Sequence, residues 1–163
     1  MELPNRKKNR LDNFDYSQNG MYFITICTQN RKQILCDIVG GGAHDAPKIK
    51  LSKCGVIVEK YILSTNNIPG ITVEKYVIMP DHIHLLLSVR NNDGTSWAPS
   101  PTNFLIPHTI STLKRLINKE IGMNIFQRSY YDHIIRNQHD YEETWKYIDN
   151  NPTNWILKHK NVF

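Results

Sequence analysis

His82 and His84 lie one residue apart in "VIMPDHIHLLLSV" (residues 77–89), a stretch that is otherwise apolar. Side chains alternate across a strand, so both imidazoles project from one face, with Leu86 and Ser88 beyond them. Ile83, Leu85, Leu87 and Val89 take the opposite face, which is the expected core side. Two imidazoles at i and i+2 on a rigid strand can place two nitrogens on one divalent ion. Alone this spacing is weak, because paired histidines also occur as ordinary polar residues. Asp81 precedes the pair and could orient a histidine, but an aspartate after Pro80 reads first as a turn residue.

A second feature lies in "QHDYEETWKYIDNN". At about 100° per residue, Tyr141, Trp145 and Ile148 form one stripe, the expected core face of a helix. Tyr147 lies about 120° from the centre of that stripe, and Asn151, one turn on, shares its flank. The bland reading is a tyrosine packed on the flank with its hydroxyl in water. The sharper one is a nucleophile beside a metal, with the neighbouring amide as an oxygen ligand. Asp149 and Asn150 are close enough to compete for that ligand role. Tyr130 and Tyr131 are the rival nucleophiles, and their strand context points to core or edge packing.

The elements that must position these residues follow from pattern and punctuation. Residues 21–30 ("MYFITICTQN") read as a strand and 39–48 as a Gly- and Pro-rich loop. A helix starts from Ser52 as N-cap, although Gly55 weakens it. Strands over 71–79 and 82–90 form a hairpin about Pro80-Asp81. Residues 91–107 form a long polar loop containing Trp97, a candidate base-stacking residue or loop anchor. A helix over 108–122 carries the stripe Ile110, Leu113, Ile117 and Ile121, with Gly122 as its C-terminal cap. A short strand at 130–136 and a last helix, capped by Asn137 and stopped by Pro152, complete the chain. The order predicts a single α+β domain over 1–163: a ferredoxin-like (split βαβ, RRM-like) antiparallel sheet with helices. The added C-terminal helix carries Tyr147.

The 163 residues suit one core, and a 40% apolar, 21% charged composition is ordinary for a globular protein. Twenty Lys and Arg against 15 Asp and Glu give a net +5, a modest pointer to a polyanionic partner. Cys27, Cys36 and Cys54 show no CxxC spacing, which argues against a disulfide framework and a zinc knuckle. No apolar run approaches the roughly 20 residues of a membrane helix. The basic arm at 1–15 lacks an apolar segment after it, so the expected location is the cytoplasm. "NRKKNR" (5–10) within that arm reads as a phosphate-binding element or a solvated terminus.

"MPDHIHLLL", "QRSYYDHIIRN" and "YIDNNP", in that order, resemble the REP-associated tyrosine transposases, within the single-tyrosine HUH (His-hydrophobic-His) transposases. "YFITICTQNRK" and "TISTLKRLINKEIG" resemble the same family, so the likeness spans about residues 20–157. Position by position, the resemblance implies that His82 and His84 bind the metal, Asn151 is the third ligand and Tyr147 is the nucleophile. It implies a Mg or Mn ion, since two histidines and an amide without thiolates suit a labile catalytic cation. The implied reaction nicks and rejoins single-stranded DNA through a 5′-phosphotyrosine intermediate, at or beside a DNA hairpin, in a monomer or homodimer. Lys114, Arg115 and Lys119 on one helix, and Arg128, Arg136 and Lys146 nearer the tyrosine, are the expected DNA-binding cations. The competing class is a domesticated module that grips nucleic-acid hairpins without cutting them. The stretches "GGGAHDAP" and "SWAPSPTNFLIP" depart from the family pattern as insertions.

Overall fold

A computed structural model of the chain describes residues 19–42, 44–90 and 105–160. The basic arm, Trp97 and most of the 91–107 loop lie outside the described residues.

The main sheet contains β1 (Gly20–Cys27), β4 (Ile71–Met79), β5 (His82–Val89) and β6 (Tyr131–Ile135), in the order β4-β5-β1-β6. Every pairing is antiparallel, which is the ferredoxin-like arrangement expected. Helices α1 (Lys53–Ser64) and α2 (Leu105–Ile121) cover one face, where Ile24, Ile83, Leu85, Val58, Ile62, Ile110 and Ile117 form the larger core. Helix α3 (Gln138–Lys160) covers the other face, packing its Ile148 with Val77, Met79 and Leu86 of the sheet. The histidine-bearing face of β5 is therefore buried as well, not merely the less apolar side: His84 is 3% exposed and Ser88 4%.

Several expected boundaries move for identifiable reasons. The 39–48 loop is the middle of a second hairpin, β2 (Cys36–Val39) with β3 (Lys48–Leu51), whose Ile38 and Ile49 pack under α3. Four-residue strands leave too little alternation to register in the sequence. Gly55 does not weaken α1 so much as permit it. Ser52 caps the helix by accepting from the Gly55 amide at 3.0 Å, and a Cβ at Gly55 would come within 2.0 Å of the Leu35 carbonyl oxygen. Helix α2 begins at Leu105, with Pro107 in its first turn, where a missing N–H costs nothing.

The largest correction concerns Pro152. It lies inside α3, which continues to Lys160. An interior proline forgoes one backbone hydrogen bond at a cost of about 3 kcal/mol. The apolar stripe of α3 resumes beyond it with Trp155 and the buried Ile156, and their packing holds the helix on course. On β4 a register shift between Val73 and Lys75 switches the strand's parity. Ile71 and Val73 face the first core, whereas Val77 and Met79 face α3. Lys75 joins that second face: it pairs with Asp149 at 2.7 Å and lies 4.0 Å over the Trp145 ring, tying α3 to the sheet.

Candidate active site

On β5, His84 lies directly across from Thr25 of β1 and Val77 of β4, and His82 from Cys27 and Met79. Both histidines face α3. The Thr25 hydroxyl lies 2.8 Å from His84 Nδ1, and the Asp81 carboxylate lies 2.5 Å from His82 Nδ1. A carboxylate only accepts, so His82 carries its proton on Nδ1 and leaves Nε2 as a free base. Asp81 is thus more than the turn residue it resembles. It occupies the β4–β5 turn and also fixes the histidine's tautomer.

The two Nε2 atoms are 3.1 Å apart. With the His84 proton on Nε2, this is an imidazole–imidazole hydrogen bond. With the proton on Nδ1, donated to Thr25, two lone pairs converge and only a cation reconciles them. Two nitrogens each about 2.1 Å from one ion, at angles between square and tetrahedral, stand about 3.0–3.4 Å apart. The pair fits that spacing. Burial first, then the neighbouring His82, pushes His84 down to about 3. Burial also lowers His82, with Asp81 opposing it. Both rings are therefore held in the neutral form that binds metals.

Helix α3 supplies the rest. The Tyr147 ring lies 5.3 Å from His84 and edge-on to Phe23 at 5.8 Å. Tyr147 is 48% exposed, so it reaches the cleft without being locked in the core. Asn151 is 7% exposed and lines the same cleft as His82. Asp149 and Asn150 do not line this cleft; Asp149 is engaged by Lys75. Among the described residues, no three His, Cys, Asp or Glu side chains group as a metal site. A cation here would complete its shell with the Asn151 oxygen and water.

The cleft encloses about 500 Å³. Its other walls were not foreseen from sequence: Arg31 from the turn after β1, and Asn154, Trp155, Lys158 and His159 from α3 beyond Pro152. The signal for the latter group was present in the apolar spacing Ile148, Trp155, Ile156, which continues past the proline. Trp155 stacks on His159 at 4.1 Å and lies 6.2 Å from His82. Of the rival nucleophiles, Tyr131 is 54% exposed and lines this cleft, whereas Tyr130 packs against the first core.

The structure does not bring the six expected DNA-binding cations to the cleft. Lys114, Arg115, Lys119 and Arg128 line a separate groove between α2 and residues 122–130. Lys114 is committed within it, donating to the carbonyls of Gln127 (2.9 Å), Arg128 (3.3 Å) and Ser129 (2.9 Å). Arg136 lies at the far end of β6, and Lys146 pairs loosely with Glu143 at 3.6 Å on the exposed side of α3. All three cysteines are free thiols, and no described helix is long and apolar enough to cross a membrane.

No family model matches the chain. An uncharacterised protein of Haemophilus influenzae is 27% identical over 174 aligned positions, spanning 94% of this chain and 91% of that relative. A second protein of that organism, named "Putative REP-associated tyrosine transposase", is 27% identical over 144 positions, spanning 85% and 73%. Among solved structures, a REP-associated tyrosine transposase bound to a REP hairpin superposes with a TM-score of 0.62 at 19% identity, over 89% of this chain and 74% of that one. That last likeness is one of fold. Along most of its sequence and in its architecture, the chain resembles the REP-associated tyrosine transposases.

Proposed function

We propose that the chain nicks and rejoins single-stranded DNA, at or beside a hairpin, with Tyr147 as nucleophile. The observation that carries this reading is the convergence of the His82 and His84 Nε2 atoms at 3.1 Å beside the Tyr147 ring, 5.3 Å from His84, in one open cleft. A cleft built only for binding has no need of two neutral imidazoles whose far nitrogens are fixed by Asp81 and Thr25.

His82, His84 and Asn151 would hold Mg²⁺ or Mn²⁺. When bound, such an ion supplies positive charge against the phosphate and the departing oxygen. The protein's part is positioning. Asp81 keeps the His82 proton on Nδ1, the Thr25 hydroxyl 2.8 Å from His84 Nδ1 would accept that ring's proton when an ion takes Nε2, and α3 holds Tyr147 against Phe23 at the mouth of the cleft. The Tyr147 oxygen bonds to phosphorus as the bond from phosphorus to the 3′-oxygen breaks. The phenolic proton is lost to the surrounding water, and the 3′-oxygen departs as a hydroxyl after taking up a proton. One phosphodiester is exchanged for another, so a 3′-hydroxyl attacking the phosphotyrosine restores the strand without ATP.

The test is to incubate the protein with labelled single-stranded DNA and Mn²⁺ and resolve the products on a denaturing gel. A covalent adduct is expected, and Tyr147→Phe abolishes it. An adduct that survives Tyr147→Phe but not Tyr131→Phe transfers the role to Tyr131, which faces the same cleft. Hairpin binding with no adduct from any substrate favours a non-catalytic binding module.

A further inference from the structure

We infer that Arg31 is a phosphate-contacting residue of this cleft; the inference rests on the reading of the site as one for single-stranded DNA. Asn30 (φ 53°) and Arg31 (φ 54°) both adopt the left-handed backbone region, which is uncommon for non-glycine residues and costs conformational energy. Two in succession persist only where the surroundings over-determine them. Here they do. The single hydroxyl proton of the buried Thr28 is shared between the carbonyls of Lys32 at 2.8 Å and Asp81 at 3.0 Å, and its amide donates to the Asp81 carbonyl at 2.9 Å. The Gln29 amide donates to the Ile125 carbonyl at 2.8 Å. The turn is thereby stitched to the β4–β5 turn on one side and to the segment after α2 on the other.

The product of this strain is the location of one side chain. Arg31 lines the cleft with His82, His84 and Tyr147, and its side chain is 55% exposed. Its nearest acid is Asp81, at 3.6 Å, too far for a hydrogen bond and already bonded to His82 through its other oxygen. An ion pair this loose and this exposed contributes little to stability, so it does not account for the strained turn. A guanidinium presents a planar fork of donors that matches two oxygens of a phosphodiester. Arg31 can therefore hold the phosphate while keeping its long-range contact with the carboxylate that orients His82.

The experiment measures binding of a fluorescein-labelled, degenerate single-stranded DNA pool to the full chain in EDTA, between about 50 and 200 mM salt. Wild type is compared with Arg31→Gly, Arg31→Lys and the charge control Lys53→Gln, an exposed residue of α1. Each phosphate contact on single strands contributes about 0.7 to the slope of log affinity against log salt. Arg31→Gly is expected to lower the slope by about that amount, Lys53→Gln to leave it unchanged, and Arg31→Lys to preserve it. Adduct formation with Mn²⁺ is expected to fall about 100-fold in Arg31→Gly and partly in Arg31→Lys, which keeps the charge but not the fork. Glycine is at ease at positive φ, so the thermal midpoint of Arg31→Gly should not fall, which separates lost contact from lost fold. An Arg31→Gly protein that matches Lys53→Gln in slope and adduct yield overturns the inference, as does a wild type with no salt-dependent binding. A lowered slope with no wild-type adduct leaves Arg31 in place and removes the nucleophile reading instead.

Discussion

Replacing Thr25 by valine tests whether the sheet presets His84 for a cation. Valine matches threonine in shape, so the β1–β5 packing is retained while the hydroxyl 2.8 Å from His84 Nδ1 is lost. His84 is 3% exposed, so water has little access to replace that partner. A buried ring nitrogen left unpaired costs about 1–3 kcal/mol. The cheapest relief moves the His84 proton to Nε2, where His82 Nε2 accepts it at 3.1 Å. That proton then occupies the point a cation needs. Loss of a residue that orients a metal-binding histidine lowers affinity about 10–100-fold, or about 1.4–2.8 kcal/mol. Titration calorimetry with Mn²⁺ on wild type, Thr25→Val and Thr25→Ser measures the effect directly. Weaker binding in the valine variant, restored by serine, is the expected pattern. Unchanged Mn²⁺ affinity in Thr25→Val would falsify the tautomer argument.

Three further outcomes follow from the geometry. Without metal, the folded chain leaves His84 neutral down to about pH 3, whereas the unfolded chain protonates it below about 6.5. The unfolded state therefore gains on acidification, and stability falls as pH drops through that window, by at most about 1.4 kcal/mol per pH unit from this group. Urea melts in EDTA should show a flatter acid limb for His84→Asn, and an identical limb argues against burial of a neutral ring. Ile148, on the sheet-facing side of α3, is 1% exposed, so Ile148→Ala should cost about 2–5 kcal/mol in urea denaturation; a much smaller loss means α3 is held mainly by Lys75 and Asp149. Burial brings Lys114 down to about 8, and its three carbonyl contacts make it a structural tie for residues 127–129. Lys114→Met should lower the thermal midpoint while leaving the salt dependence of DNA binding unchanged; a reduced salt slope returns Lys114 to the DNA-contacting set.

Much of the architecture was legible because its signals are local. Alternation in "HIHLLLSV", the stripe of α2, the Ser52 cap and the turn at Pro80-Asp81 each reflect interactions within a few residues, and together they specify the ferredoxin-like order. The pairing of His82 with His84 and the shared flank of Tyr147 and Asn151 follow from strand and helix periodicity alone. Other features depend on what lies across space. The helical stop expected at Pro152 was overridden by the packing of Trp155 and Ile156, and that override brings Lys158 and His159 into the cleft. Arg31 is placed at the cleft by a turn that Thr28 bonds to a second turn some 50 residues away, and Lys114 is engaged by three carbonyls of residues 127–129. Sequence determined which residues could do chemistry, since side-chain type and short-range periodicity belong to the chain itself. Tertiary structure decided which of them meet, because burial, hydrogen-bond partners and the course of a strained turn exist only once distant segments pack.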